Sequence, residues 1–239
     1  MIEAELKARV QDPASLRTRL RRLSDEEITV YYDTYYDWPG RDLTAQGREL
    51  RVRVMETDGV RRAVLTYKEP AADVASGSKP EHETKVGDAS VVDSILRGLG
   101  LEHLVSFEKH CANYRFTTRR RDMLATVVTL PEIDGVFLEL ETTADEADLT
   151  AALDDVRTVL GELSIAEEDL TTELYTDAVM RARTWERGTP ARLARSLRGE
   201  PGRRHRQNPG PYQARSCPIR AEIGLSSIAT AAIYAGERP

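Results

Sequence analysis

The strongest constraint in this 239-residue chain is an alternation of period two that keeps putting charge on one face of extended segments. The opening "MIEAELKARV" sets Ile2, Ala4, Leu6, Ala8 and Val10 on one side and Glu3, Glu5, Lys7 and Arg9 on the other. Successive strand side chains point to opposite faces, so this is the signature of a strand with one buried face. The pattern returns. "RELRVRVME" opposes Arg51 and Arg53 to Leu50, Val52 and Val54. "KPEHETKV" lines up Lys79, Glu81, Glu83 and Lys85. "GVFLELE" opposes Phe137, Glu139 and Glu141 to Val136, Leu138 and Leu140. The same-face pairs Arg51/Arg53, Glu81/Glu83 and Glu139/Glu141 are each of one sign. Such faces have two destinations: outward, as solvated surfaces with cross-strand salt bridges worth about 0–1 kcal/mol each, or inward, around a shared cavity.

The remaining pattern supplies strands and a few helices. "EEITVYYDTYYDW" alternates and is rich in β-formers. "RELRVRVME" and "RRAVLTYKEP" flank the turn signal Asp58-Gly59 and read as a hairpin; "VSFEKHCANYRFTTRR" and "DMLATVVTLPEI" form another pair. Helices are expected in "DPASLRTRLRRL", with Asp12-Pro13 as cap and first position and Leu16, Leu20 and Leu23 as its stripe. Three more are expected: "DASVVDSILRGLG" with Val92, Ile95, Leu96 and Leu99, "DEADLTAALDDVRTVLGEL", and "TTELYTDAVMRART". Tyr35 and Tyr36 should split between core and interior, and Trp38-Pro39-Gly40 should turn. About eight antiparallel strands with four helices make an α+β protein, and a sheet of that size tends to close or stack.

Formal net charge is −6, but it is unevenly spread. Residues 186–239 hold ten Arg and four Glu, leaving 24 basic against 36 acidic side chains in the rest. The chain therefore divides into an acidic body, 1–183, and a basic Pro/Gly/Arg-rich tail, 184–239, expected to be disordered. The acidic balance argues against nucleic-acid or anionic-membrane binding. Cys111, Cys217 and the four histidines have no zinc spacing or disulfide framework. No run approaches a membrane span, so a cytoplasmic protein is expected.

Inward-facing charges of both signs would be costly unless a ligand bridged them, since a desolvated unpaired ion costs several kcal/mol. A polyphosphate with divalent cations fits both signs: Mg²⁺ or Mn²⁺ takes carboxylate oxygens, and phosphate takes Arg forks and Lys ammonium groups.

An ordered set of motifs carries a family resemblance. The ExExK of Glu3, Glu5 and Lys7 is followed by "DTYYD", "LRVRV" (Arg51, Arg53), "LTYKEP" (Lys68), "KPEHE" (Glu81, Glu83), "FLELE" (Glu139, Glu141) and "TTELYTD" (Tyr175). Together these resemble the CYTH superfamily of triphosphate tunnel metalloenzymes, which includes class IV adenylate cyclases and thiamine triphosphatases. The resemblance spans about residues 1–183. It implies a closed eight-stranded antiparallel β-barrel, a triphosphate tunnel with flanking helices. It further implies that Glu3, Glu5, Glu81, Glu83, Glu139 and Glu141 serve Mg²⁺ or Mn²⁺. Lys7, Arg51, Arg53, Lys68 and Lys109 would bind the triphosphate. There are departures. Cys111 stands where an Arg is often found, and Arg115 on the same alternation is the candidate substitute. Lys79 replaces an Arg, and "PEID" offers Glu132 or Asp134 where an Asp is common.

The implied catalytic set is Glu5, Lys7 and Glu141, with a carboxylate taking the proton of the attacking hydroxyl or water. An adenylate cyclase making cyclic AMP and pyrophosphate from ATP is the function expected. The alternatives are a triphosphatase acting on tripolyphosphate, thiamine triphosphate or nucleoside triphosphates, and a non-catalytic triphosphate-binding module. The expected partner is the triphosphate alone, with no nucleic acid and no membrane; a homodimer is left open.

Overall fold

The computed structural model describes residues 1–188. Its frame is one antiparallel sheet of eight strands: β1 (Ile2–Arg9), β2 (Glu27–Asp37), β3 (Glu49–Thr57), β4 (Val60–Lys68), β5 (Glu81–Val86), β6 (Glu102–Thr118), β7 (Arg121–Leu130) and β8 (Ile133–Ala144). The spatial order is β1-β8-β7-β6-β2-β3-β4-β5. The expected hairpins are present. Asp58 and Gly59 both take positive φ (50° and 76°) to turn β3 into β4, and Arg119 and Arg120 do the same between β6 and β7 (51° and 63°).

The sheet curls until its outer strands meet. Ile2 bridges Pro80, just ahead of β5. Glu3 N–H donates to the Lys79 carbonyl (3.3 Å), and Glu81 N–H to the Met1 carbonyl (3.4 Å). Beyond this bridge no ladder joins β1 to β5 among the described residues, so the antiparallel sheet with flanking helices is met in full, and its closure is limited to one point.

The two faces of the sheet take up opposite chemistry. On the outer face Ile2, Ala4 and Leu6 of β1 and Leu138 and Leu140 of β8 are buried under helices α1 (Pro13–Leu20) and α4 (Leu149–Glu162). Leu16 and Leu20 of α1 and Leu149, Leu153, Val156 and Leu160 of α4 complete this core. Helix α1 starts where Asp12 accepts from Ser15 N–H (3.1 Å), with Pro13 at the first position, as its sequence predicts. Leu23 does not join the stripe: the helix has ended, and the side chain is exposed.

Helix α3 (Ala89–Gly98), capped by Asp88, buries Leu96 against Tyr36, Val52 and Leu101. It leaves Ile95 and Leu99 exposed, so its inward stripe is narrower than the sequence suggests. Ordinary strand alternation sends Tyr35 and Tyr36 apart: Tyr35 packs inward with Phe107, and Tyr36 outward under α3. A short helix absent from the sequence reading, α2 (Asp42–Ala45), follows the Trp38–Gly40 turn. Helix α5 (Tyr175–Gly188) packs Tyr175, Val179 and Met180 against the inner cluster of Phe107, Val128 and Phe137. It runs past the expected tail boundary at 184; the rest of that tail, 189–239, lies outside the described residues.

Leu140 is fully buried between β8 and the covering helices. Leu140→Ala should lower unfolding free energy by about 2–5 kcal/mol, the range for such cavities, measured by urea denaturation.

Candidate active site

Strand register fixes the inner face completely. Pairing Glu5 with Glu141 and Lys7 with Glu139 puts those four side chains together. The ladder then carries the face across Thr126, Asn113, Lys109, Tyr31, Asp33, Arg53, Arg51, Thr66 and Lys68 to Glu81 and Glu83. A cavity of about 260 Å³ is lined by most of these groups, Arg115 among them. A second lobe of about 110 Å³ continues from it past Glu3, Glu5, Lys68 and Glu139 to Lys7, Lys79 and Tyr175. The inward reading of the charged faces is therefore the correct one.

Most inner cations are already paired. Arg53 holds Asp33 through two bonds, Nε to Oδ1 at 2.6 Å and Nη2 to Oδ2 at 2.7 Å. Arg51 approaches the other side of that carboxylate at 3.8 Å and Glu81 at 4.0 Å. Burial raises the Asp33 carboxyl, but Arg53 and then Arg51 outweigh it and hold it at about 2. Lys109 Nζ donates to both oxygens of Glu139 (3.0 and 2.9 Å), and Lys68 reaches Glu3 (2.8 Å) and Glu81 (2.7 Å). Glu3 and Glu81 share that one ammonium unequally. Against burial, Lys68 holds Glu3 down at about 2, while burial and the charge on Glu3 push Glu81 up to about 7.

Two carboxylates are left over. Glu5 and Glu141 accept no hydrogen bond and form no ion pair among the described residues. Burial pushes both up; next come Glu139 for Glu5, and Glu3 and Glu5 for Glu141. One oxygen each of Glu3, Glu5 and Glu141 lies within 4.8 Å of the others. Three carboxylates that close, two of them without a cation, form the hard-oxygen donor set that Mg²⁺ or Mn²⁺ takes. The residues fit a divalent cation.

Lys7 and Arg115 are the matching surplus cations. Lys7 Nζ donates to the Glu173 carbonyl and lies 4.5 Å from the centroid of the Tyr175 ring, which Lys109 also approaches at 4.7 Å. Burial pulls the Lys7 ammonium down, against Glu139 and Glu5. Arg115 stands exposed at the far mouth, on the same face as Lys109, without a partner among the described residues.

The sequence-derived set is thus sorted by the structure. Glu3, Glu5 and Glu141 come together. Glu139 is taken up by Lys109, and Glu81 by Lys68. Glu83 is exposed at the rim, accepting from Thr66 (3.1 Å). Cys111 is buried beside Lys109 and its thiol is pushed up to about 12 by burial, so it adds no charge. His82 and His110 pair with Glu69 and Glu108 at the surface. Asp33, the buried anchor of both arginines, was missed as a site residue. Its signal was present in "DTYYD", where it shares its face with Tyr31 and Tyr35.

Comparison with known proteins agrees with this geometry. The family model of the CYTH domain matches residues 1–175. The adenylate cyclase CyaB of Aeromonas hydrophila is 29% identical over 182 residues, covering 72% of this chain and 86% of that protein. Among solved structures, a Pyrococcus horikoshii protein superposes with a TM-score of 0.65 at 22% identity, covering 75% of this chain and 98% of the other. A Hippeastrum protein, a candidate adenylyl cyclase for which a dominant triphosphatase activity is described, superposes at 0.53 with 16% identity, covering 76% and 96%.

The raised Glu81 carboxyl has a consequence for stability. A carboxyl whose folded value lies above its unfolded one destabilises the fold when ionised, and that cost disappears as pH falls through the folded value. With Glu81 at about 7, the metal-free protein should melt at a higher temperature at pH 6 than at pH 8. Glu81→Gln should reduce that difference in calorimetric scans.

Proposed function

The chain belongs to the CYTH family, and on that premise we propose that it is a divalent-metal-dependent adenylate cyclase of the class IV type. The observation that carries this reading is the surplus of Glu5 and Glu141 beside Glu3, in a channel whose other wall is cationic. A triphosphate charged with metal supplies what both walls lack. Bound at the three carboxylates, Mg²⁺ or Mn²⁺ would neutralise phosphate charge and favour ionisation of the nucleophile.

The chain's own residues do the rest. Arg51 and Arg53, fixed by Asp33, present guanidinium donors to the phosphates without reorganising. Lys7 and Lys109, held over the Tyr175 ring, stabilise charge on the phosphoryl oxygens. In the reaction the ribose 3′-oxygen bonds to the α-phosphorus and the bond to the bridging oxygen breaks. Pyrophosphate leaves with those electrons. Glu5 or Glu141 offers the carboxylate oxygen that accepts the hydroxyl proton. The meeting of β1 with residues 79–81 supports a tunnel closed around the substrate. No helix among the described residues is long and apolar enough to cross a membrane, in keeping with the proposed cytoplasmic location.

A second reading, hydrolysis by water attack on the terminal phosphorus, is favoured by the activity described for the Hippeastrum neighbour. Incubation with ATP and Mg²⁺ or Mn²⁺ should yield cyclic AMP and pyrophosphate. ADP and phosphate alone would replace the cyclase with the triphosphatase, and tight binding without product would leave a binding module. Lys7→Ala should lower turnover about 100-fold with an unchanged melting temperature, because Lys7 anchors no buried acid. Arg53→Ala should also cost about 3–5 kcal/mol of stability by stranding Asp33, read from denaturant titration.

A further inference from the structure

One donor beside the acid cluster has nothing to donate to. Tyr175 opens α5 and lines the small lobe of the channel with Glu5, Lys7 and Glu139. Its hydroxyl is buried and has no hydrogen-bond partner among the described residues. Buried polar groups are normally paired, and an unpaired one bears the full cost of losing water. Other hydroxyls of the inner face are engaged within the protein: Thr66 donates to Glu83 (3.1 Å) and Thr126 to Asn113 (3.0 Å).

The fold holds the Tyr175 ring where it is. Ahead of α5, Leu170 bridges Ala8 and Thr171 N–H donates to the Lys7 carbonyl (2.8 Å), which ties the chain to β1. Phe137 of β8 meets the ring edge-on, with centroids 5.4 Å apart at 82°. Further along α5, Val179 is fully buried, and Arg183 clasps Glu132 (2.6 and 2.8 Å) and the Ser106 carbonyl (2.7 Å). A ring anchored in this way keeps its hydroxyl inside the lobe.

The neighbours define the missing acceptor. Lys7 and Lys109 stand 4.5 and 4.7 Å from the ring centroid. Burial, and then the charges on Glu139 and Glu5, push the hydroxyl well above its ordinary range, so it remains a neutral O–H donor. Both oxygens of Glu139 already accept from Lys109. An anionic oxygen brought between the two ammonium groups would meet all three donors at once.

Resting on the triphosphate reading above, we propose that Tyr175 is a substrate-contacting residue, its hydroxyl donating a hydrogen bond to a phosphoryl oxygen held by Lys7 and Lys109. The hydroxyl is placed before the ligand arrives, so this bond forms without reorganisation. The same oxygen destabilises the empty protein and stabilises the loaded one. That opposition separates a ligand contact from a hydroxyl that serves the fold.

Tyr175→Phe keeps the ring under both lysines and removes only the oxygen. In the full chain with Mn²⁺, titration calorimetry with inorganic tripolyphosphate and with ATP should show both affinities weakened about ten- to hundredfold, the range for a hydrogen bond to a charged group. Without metal or ligand, the variant should melt no lower than wild type in scanning calorimetry. Tyr175→Leu, which also removes the aromatic face from the two ammonium groups, should bind both ligands more weakly still. Wild-type affinities in Tyr175→Phe would overturn the proposal. So would a lower melting temperature of the empty variant, which would mean that the hydroxyl is bonded within the fold. A loss confined to ATP would place the contact on the organic part of the ligand and also overturn it. Each of these results spares the triphosphate reading, whereas a wild-type protein that takes up neither tripolyphosphate nor ATP ends both.

Discussion

The sheet interior is arranged around two carboxylates that have no cation partner among the described residues. Glu5 and Glu141 sit recessed in the sheet interior with Glu3 beside them, in an environment that raises the cost of each charge. Folding tolerates them because the surrounding ions are spent on one another. Arg53 and Arg51 are consumed by Asp33, Lys109 by Glu139, and Lys68 by Glu3 and Glu81. The paired ions form a fixed electrostatic frame. The unpaired ones, two acids on one side and Lys7 and Arg115 on the other, define what a ligand has to bring.

That frame is affordable because stability is drawn from elsewhere. The same strands that aim charge inward aim Ala4, Leu6, Leu138 and Leu140 outward into the core beneath α1 and α4. Each alternation therefore does two jobs, and a one-residue slip in register would exchange them. Aromatic groups finish the interior where charge would be unsupported. Tyr31 stands under Arg53 and Tyr175 under Lys7 and Lys109, giving cations a polarisable neighbour without another acid.

Much of this was legible in the sequence. The alternation in "IEAELKAR", "ELRVRVM" and "FLELE" identified the strands and the residues sharing a face. The order of motifs identified the family and most of the charged lining. Partnership was not legible. Nothing local says that Glu139 is given to Lys109 while Glu141 is left alone, because that depends on strands far apart in sequence meeting in register. Asp33 was passed over for the same reason: its role appears only when Arg53 is paired opposite it. Helix α2 is a single turn, too short to show a period. The exposure of Leu23, Ile95 and Leu99 reflects where helices end and how they are rotated on the sheet, which spacing alone does not fix.

The central claim is that Glu3, Glu5 and Glu141 are a cation site completed by a polyphosphate. Anomalous scattering from crystals grown with Mn²⁺ and tripolyphosphate addresses it directly. The account predicts a manganese peak at coordination distance, about 2.0–2.3 Å, from oxygens of these three side chains, with phosphate density toward Arg51, Arg53 and Lys7. Manganese bound only elsewhere on the protein, with the three carboxylates ligand-free, would contradict it.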